Sequence, residues 1–252
     1  MAKVTGPISF TGKIGGISFY KHPEHGWLAR RVGGPSKSKI ANHPNFESTR
    51  KHNREFTTAA KAAKLLRIAI LPHLDRVQDS RLASRLFSGI FKVLQTDPVN
   101  SLGERRVEKG NLSILEGFRL TQNYLRSKLS VNHQTSYNRL EGIVETSIDG
   151  LEPVRNIYAP DGATHFRIVS IGAGLDFEKQ DFYSGRIESE LFPLSSDRVI
   201  KFTNQVSIAP PQHALVELPM AISILGIHFY TVVNGEAYRR EGLSAFEVVK
   251  CF

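Results

Sequence analysis

The chain has 252 residues, 40% of them hydrophobic and 23% charged, and 33 Lys and Arg against 24 Asp and Glu give a net charge of +9. That balance belongs to a folded globular chain and excludes a largely disordered or collagen-like one. The single cysteine, Cys251, excludes an intramolecular disulfide and a cysteine-rich zinc site, and no apolar run approaches the roughly 18 residues of a membrane-spanning helix.

The opening residues Met1-Ala2-Lys3-Val4-Thr5-Gly6-Pro7 precede no apolar signal core, so the expectation is an uncleaved chain that works in the cytoplasm or in a particle assembled there. Short strands are predicted at 8–10, 17–20 and 27–32, with Gly12, Gly15, Gly16 and Gly26 at the bends. Residues 33–39, Gly-Gly-Pro-Ser-Lys-Ser-Lys, read as a flexible basic linker. From 45 to 95 the pattern turns helical. An alanine- and leucine-rich run from Ala59 to Leu71 carries Lys61, Lys64 and Arg67, and Pro72 is expected to end it. Ser80 is the expected N-cap of a second helix, in which Leu82, Leu86, Ile90, Val93 and Leu94 recur at three- and four-residue steps, and Asp97-Pro98 closes it. Residues 98–132 are mixed, with Gly103, Gly110 and Gly117 interrupting any period.

After Ser136 the period becomes two. Strands are predicted at 139–148, 164–171, 182–188, 199–208, 214–220, 222–233, 236–239 and 246–252, with turns at Pro160-Asp161-Gly162, Gly172-Ala173-Gly174 and Asn234-Gly235. Asn-Gly between two strand runs is the signature of a type I′ hairpin. Pro210-Pro211 belongs in a loop or at an edge. The fold class is therefore α+β: a Gly-rich N-terminal β-meander and a basic helical region followed by an antiparallel β-sandwich. The expected divisions are 1–40, 41–132 and 133–252.

Charge follows these divisions. Residues 1–131 hold 23 Lys and Arg against 9 acids, whereas 132–252 hold 10 against 15. Such asymmetry points to two units with different partners, or to attraction between the basic half of one copy and the acidic half of another.

Chemical motifs are few. Gly12-Lys13 lacks the phosphate-loop spacing, since five residues separate it from Gly6 and Ile14 stands where a hydroxyl would hold magnesium. In His22-Pro23-Glu24-His25 the proline makes a loop, and the other histidines share no ligand spacing, so these read as solvated loop histidines and no metal is expected. Cys251 reads as a small buried thiol in a strand. No Gly-x-Ser-x-Gly elbow occurs, and the pairs Glu141/Glu145 and Glu188/Glu190 read as solvent-facing carboxylates. No catalytic residue and no cofactor is nominated. Two sets of residues do stand out. Phe10, Ile17, Phe19, Tyr20, Trp27 and Leu28 are too apolar for a forty-residue meander to leave uncovered, and are candidate assembly contacts. Arg30, Arg31, Lys37, Lys39, Arg50, Lys51, Arg54, Lys61 and Lys64 are candidate phosphate contacts for a nucleic acid, although no established nucleic-acid-binding signature accompanies them.

The stretch Phe10-Thr11-Gly12-Lys13-Ile14-Gly15-Gly16-Ile17-Ser18-Phe19-Tyr20, then Gly26-Trp27-Leu28-Ala29-Arg30-Arg31 and Pro44-Asn45-Phe46-Glu47-Ser48-Thr49-Arg50, resembles a recurring opening in uncharacterised bacterial proteins, some of them phage- or prophage-associated. The resemblance implies a structural or assembly role and carries no catalytic residues. The resulting expectation is a non-enzymatic protein that assembles with copies of itself or with other assembly proteins of a phage-related particle. A nucleic-acid-binding protein is the alternative, and a ligand-binding sandwich the third reading.

Overall fold

A computed structural model describes residues 2–3, 11–74, 79–208 and 219–252. The chain forms two compact units, Met1–Arg50 and Lys51–Phe252.

In the first unit, strands β1 (Ala2–Lys3), β2 (Gly12–Ile14), β3 (Ile17–His22) and β4 (Gly26–Arg31) form an antiparallel sheet in the order β1-β4-β3-β2. Gly15 and Gly16 both hold positive φ, +55° and +78°, and close the two-residue turn that sets Ile14 opposite Ile17. The expected linker ends in structure: Ser36 Oγ accepts the Lys39 amide (3.2 Å) and caps helix α1 (Lys37–Asn42). The predicted strand at 8–10 lies outside the described residues.

Helix α2 (Glu47–Ile70) leads into the second unit, where Ala59, Ala62, Ala63, Leu66 and Ala69 bury its small-residue face. A 3₁₀ turn, Leu71–His73, takes up Pro72. Helix α3 (Leu82–Gln95) buries the five apolar residues read from the sequence, but Ser80 is not its cap. Asp79 Oδ1 instead accepts the Arg81 amide at 2.8 Å. Residues 98–132 contain only short 3₁₀ turns, Val107–Lys109 and Leu112–Leu115. Asp97 organises their start. Its carboxylate accepts the backbone amides of Val99 and Asn100, the Asn100 side chain and the Arg106 amide.

Two antiparallel sheets follow. The smaller runs β10-β6-β5, from β5 (His133–Asn138), β6 (Ile143–Leu151) and β10 (Ile200–Ser207), with a helical turn α4 (Pro153–Asn156) after β6. The larger is built on β7 (His165–Asp176), β8 (Asp181–Glu188) and β11 (Met220–Val233), with β9 (Phe192–Pro193), β12 (Glu236–Arg239) and β13 (Ala245–Cys251) at its flanks. Alternation along the strands gives the larger sheet two covered faces. Val169, Ile171, Ala173 and Leu175 of β7 and Ile222 and Ile224 of β11 join the side chains of α2 and α3 in one core. Phe166, Ile168, Leu225, Ile227 and Phe229 point the other way, into a second core with Ile148, Leu151 and Ile200 of the smaller sheet. The order N-terminal strands, helices, then antiparallel sheets is the α+β architecture expected from the sequence.

Within Lys51–Phe252, helices α2 and α3 share one core with the larger sheet on either side of residue 132. Two readings are corrected. Gly172-Ala173-Gly174 lies inside β7, not in a turn. A Cβ at Gly172 would stand 2.8 Å from Ile208 Cγ2, so the glycine serves the close approach of the two sheets. The strand expected at 139–148 starts later, at Ile143 in β6, and Arg139–Gly142 form the turn between β5 and β6, with the Leu140 amide donating to Asn138 Oδ1 (3.1 Å). Residues 214–218 of the predicted strand at 214–220 lie outside the described residues, and Met220 opens β11. Asn234 and Gly235 close the expected hairpin with φ of 52° and 85°. Among the described residues no helix is long and apolar enough to cross a membrane.

Candidate functional site

The register of the N-terminal sheet divides its side chains between two faces. Ile14 faces Ile17, Ile17 faces Arg31, Phe19 faces Ala29, and Lys21 faces Trp27, so these residues share one face. Ile14 is 61% and Ile17 42% exposed, while Phe19 and Trp27 are half-buried. The opposite face carries the row Lys13–Ser18–Arg30, with Tyr20 and Leu28 beside it. Leu28 is buried, and the Arg30 guanidinium lies 5.4 Å from the Tyr20 ring centre. The candidate assembly contacts therefore split: Ile17, Phe19 and Trp27 on one side, Tyr20 and Leu28 on the other. Phe10 lies outside the described residues.

The candidate phosphate contacts are also scattered. Arg30 and Arg31 line a cavity of about 270 Å³ together with Lys13 and Ser18. Lys37 and Lys39 are exposed on α1, and Arg50 is committed to structure, donating to the carbonyls of Ile40 (2.8 Å) and His43 (3.0 Å). Arg54, Lys61 and Lys64 recur at helical spacing on the exposed side of α2. Lys51 packs its stem against Gly103, where a Cβ would stand 2.8 Å from Lys51 Cβ. The sequence missed Lys13, which the β2–β3 and β3–β4 registers together bring into one cross-strand row with Ser18 and Arg30.

His22 and His25, read as solvated loop histidines, are gathered with Glu24 by the β3–β4 turn, with their ligand atoms within 4.8 Å of one another. The His22 and His25 rings stack at 4.7 Å, and His22 Nδ1 accepts the amides of Glu24 (3.2 Å) and His25 (3.3 Å). That bonding explains the gathering: the imidazole caps its own turn.

In the second unit a polar network crosses the helix-facing side of the larger sheet. Arg186 donates from Nη2 to His228 Nε2 (3.0 Å), which puts the ring proton on Nδ1, donated in turn to Ser244 Oγ (2.6 Å). Arg186 also donates to Glu188 and to the His73 carbonyl (2.8 Å), while Glu188 accepts from Arg167 (3.3 Å). Burial, then the Arg186 charge, lowers the pKa of His73, whose Nε2 lies 2.9 Å from Ser184 Oγ. Glu188 is thus an internal ion-pair partner and not the solvent-facing carboxylate expected, whereas Glu190 is exposed. Glu141 and Glu145 accept hydrogen bonds from Asn138 and Gln205. Cys251 is buried, and its thiol is pushed up to about 12 by burial and by Glu116, far from thiolate chemistry at neutral pH.

A cavity of about 640 Å³ opens beside β13, between the two sheets. Buried Leu125, Leu129 and Leu225 and half-buried Val249 contribute to its lining, and Glu116, Arg126, His133, Asp149 and Glu247 supply charge or titratable groups. No sequence signal beyond a carboxylate inside an apolar strand marked this site. No protein-family model matches the chain, and no curated protein is significantly similar to it.

Proposed function

We propose that the chain is a non-enzymatic assembly protein whose N-terminal sheet packs against another copy of itself. The observation that carries this reading is the face of that sheet on which Ile14 and Ile17 are exposed beside half-buried Phe19 and Trp27, with Lys21 and Arg31 flanking them. Covering such a side chain is worth about 1.5–3 kcal/mol, and a contiguous exposed apolar patch marks an interaction surface. The charge distribution supports a like partner, because a basic first half and an acidic second half are complementary between copies. The likeness of the opening to phage-associated proteins extends the reading to a phage-derived particle. On this reading the chain works in the cytoplasm or in a particle assembled there.

The test is native mass. Wild type is expected as an oligomer by light scattering, and the double substitution Ile14→Glu and Ile17→Glu as a single folded chain. An unchanged mass, or a wild type that stays single at every concentration, overturns the reading.

A second reading rests on the other face. Lys13, Ser18 and Arg30 form a cross-strand row beside Tyr20, a pairing of cations with an aromatic ring that suits single-stranded nucleic acid. Retardation of DNA or RNA at low salt, weakened when Lys13 and Arg30 become Gln, is its expected signature. No retardation removes it.

A further inference from the structure

We infer that the cavity beside β13 binds an organic cation, an alkylammonium group on a short aliphatic chain. At about 640 Å³ the cavity has the size of small-molecule sites. Glu247 lies on β13 directly opposite Leu225 of β11, and its side chain is only 8% exposed. A buried carboxylate normally collects hydrogen bonds or a close cation. Among the described residues none donates to Glu247, and Arg126 Nε, at 3.7 Å, stands outside hydrogen-bond reach on a side chain 89% exposed.

The second carboxylate of the cavity, Glu116, is in use, since its Oε1 accepts the Cys251 amide (3.2 Å) and meets Lys250 Nζ (3.2 Å). Asp149 at the rim is paired with Lys201 at 2.8 Å. Among the described residues Glu247 is therefore the carboxylate of this cavity left without a hydrogen-bond donor, set beside Leu225 and half-buried Val249. Burial raises the carboxyl's pKa above the usual carboxylate range, with Arg126 and then Arg119 pulling it partly back. Holding such a group costs stability, a cost typical of binding sites. A ligand ammonium supplies the missing donors and charge, while its methylene chain packs beside half-buried Val249.

Calorimetric or NMR titration of the full chain tests this with n-butylammonium, putrescine and Nα-acetyl-lysine amide, against n-butanol as the neutral control. The amines are expected to bind at least about tenfold more tightly than butanol, and Glu247→Gln to remove that preference. Glu247→Gln is expected to melt at or above the wild-type temperature, because it removes a costly buried charge. Arg126→Ala, at an exposed side chain, is expected to tighten amine binding by removing a competing cation. Tighter binding of putrescine would identify a free amine as the source, and tighter binding of the acetyl-lysine amide a protein side chain. Absence of amine binding, equal binding of butanol, unchanged binding in Glu247→Gln or weakened binding in Arg126→Ala overturns the assignment.

Discussion

In Lys51–Phe252 two helices and two sheets close over three clusters of buried apolar side chains, whereas among the described residues of Met1–Arg50 a single apolar side chain, Leu28, is buried. Both regions use antiparallel strands with alternating side chains, so the difference lies in what covers the strands. The larger sheet has helices on one face and a second sheet on the other. The N-terminal sheet has strands of two to six residues, with Ile14 and Ile17 exposed. A small sheet without a covered hydrophobic face is marginal by itself. One region thus stores stability within the chain, and the other leaves apolar side chains exposed. Substitutions in the two regions should accordingly act on different observables.

The largest effect is expected inside the shared core. Gly226 of β11 lies under Phe246, and a Cβ there would meet the ring at 2.2 Å. The ring has no room to retreat, because Phe246 is fully buried and also packs edge-on against His228. Gly226→Ala is expected to cost about 3 kcal/mol, lowering the melting temperature by roughly 10 °C. A change within a degree would show that the sheet and helices do not form one tightly packed unit.

Next in size comes Asp97, which fastens the irregular segment after α3. Burial alone would raise its pKa, but the hydrogen bonds from Asn100, Arg106 and Val99 outweigh that and hold the carboxyl far below its usual value. A carboxyl with a depressed folded-state pKa contributes stability that is present above its unfolded value, near pH 4, and lost as the pH falls through the folded value. Asp97→Asn should therefore cost about 2 kcal/mol at neutral pH. The gap to wild type in chemical denaturation should narrow steadily on acidification below about pH 4. A gap independent of pH would assign the loss to packing and not to charge.

The legibility of the two regions differs as much as their packing. Apolar residues at helical steps announced α3, strand signals announced β11 and the first part of β7, and Asn234-Gly235 announced its hairpin, because each signal is local. The missed strand β5, His-Gln-Thr-Ser-Tyr-Asn, is almost entirely polar; it is held by pairing with β6, a tertiary fact invisible in its own composition. Glycine misled in the opposite sense. At Gly172 it marks sheet-to-sheet contact, yet its sequence signal is the same as that of a turn. The two-faced character of the N-terminal sheet was half legible: alternation was visible, but bringing Lys13 beside Arg30 required the register of two turns. Glu247 was the hardest to see, because one carboxylate in Ala-Phe-Glu-Val-Val-Lys-Cys looks like an edge-strand charge until β13 is placed against β11 and the 117–121 segment. That segment bonds to β13 through Gly117, Phe118 and Leu120, closing the edge and turning Glu247 inward.

The smallest effect on the fold should come from the N-terminal face, and it is the most informative about the comparison. Ile14 and Ile17 are exposed, so Ile14→Glu with Ile17→Glu should change the stability of an isolated chain by no more than about 0.5 kcal/mol per site. In an assembling protein the same side chains are covered, and assembly adds stability that grows with protein concentration. Wild type should then melt at higher temperature as concentration rises, while the double variant should melt at one temperature throughout. At the lowest concentration the two curves should converge, because neither chain is assembled there. If both proteins melt independently of concentration, the exposed face contributes nothing to assembly, and the contrast between the two regions reduces to one of core size.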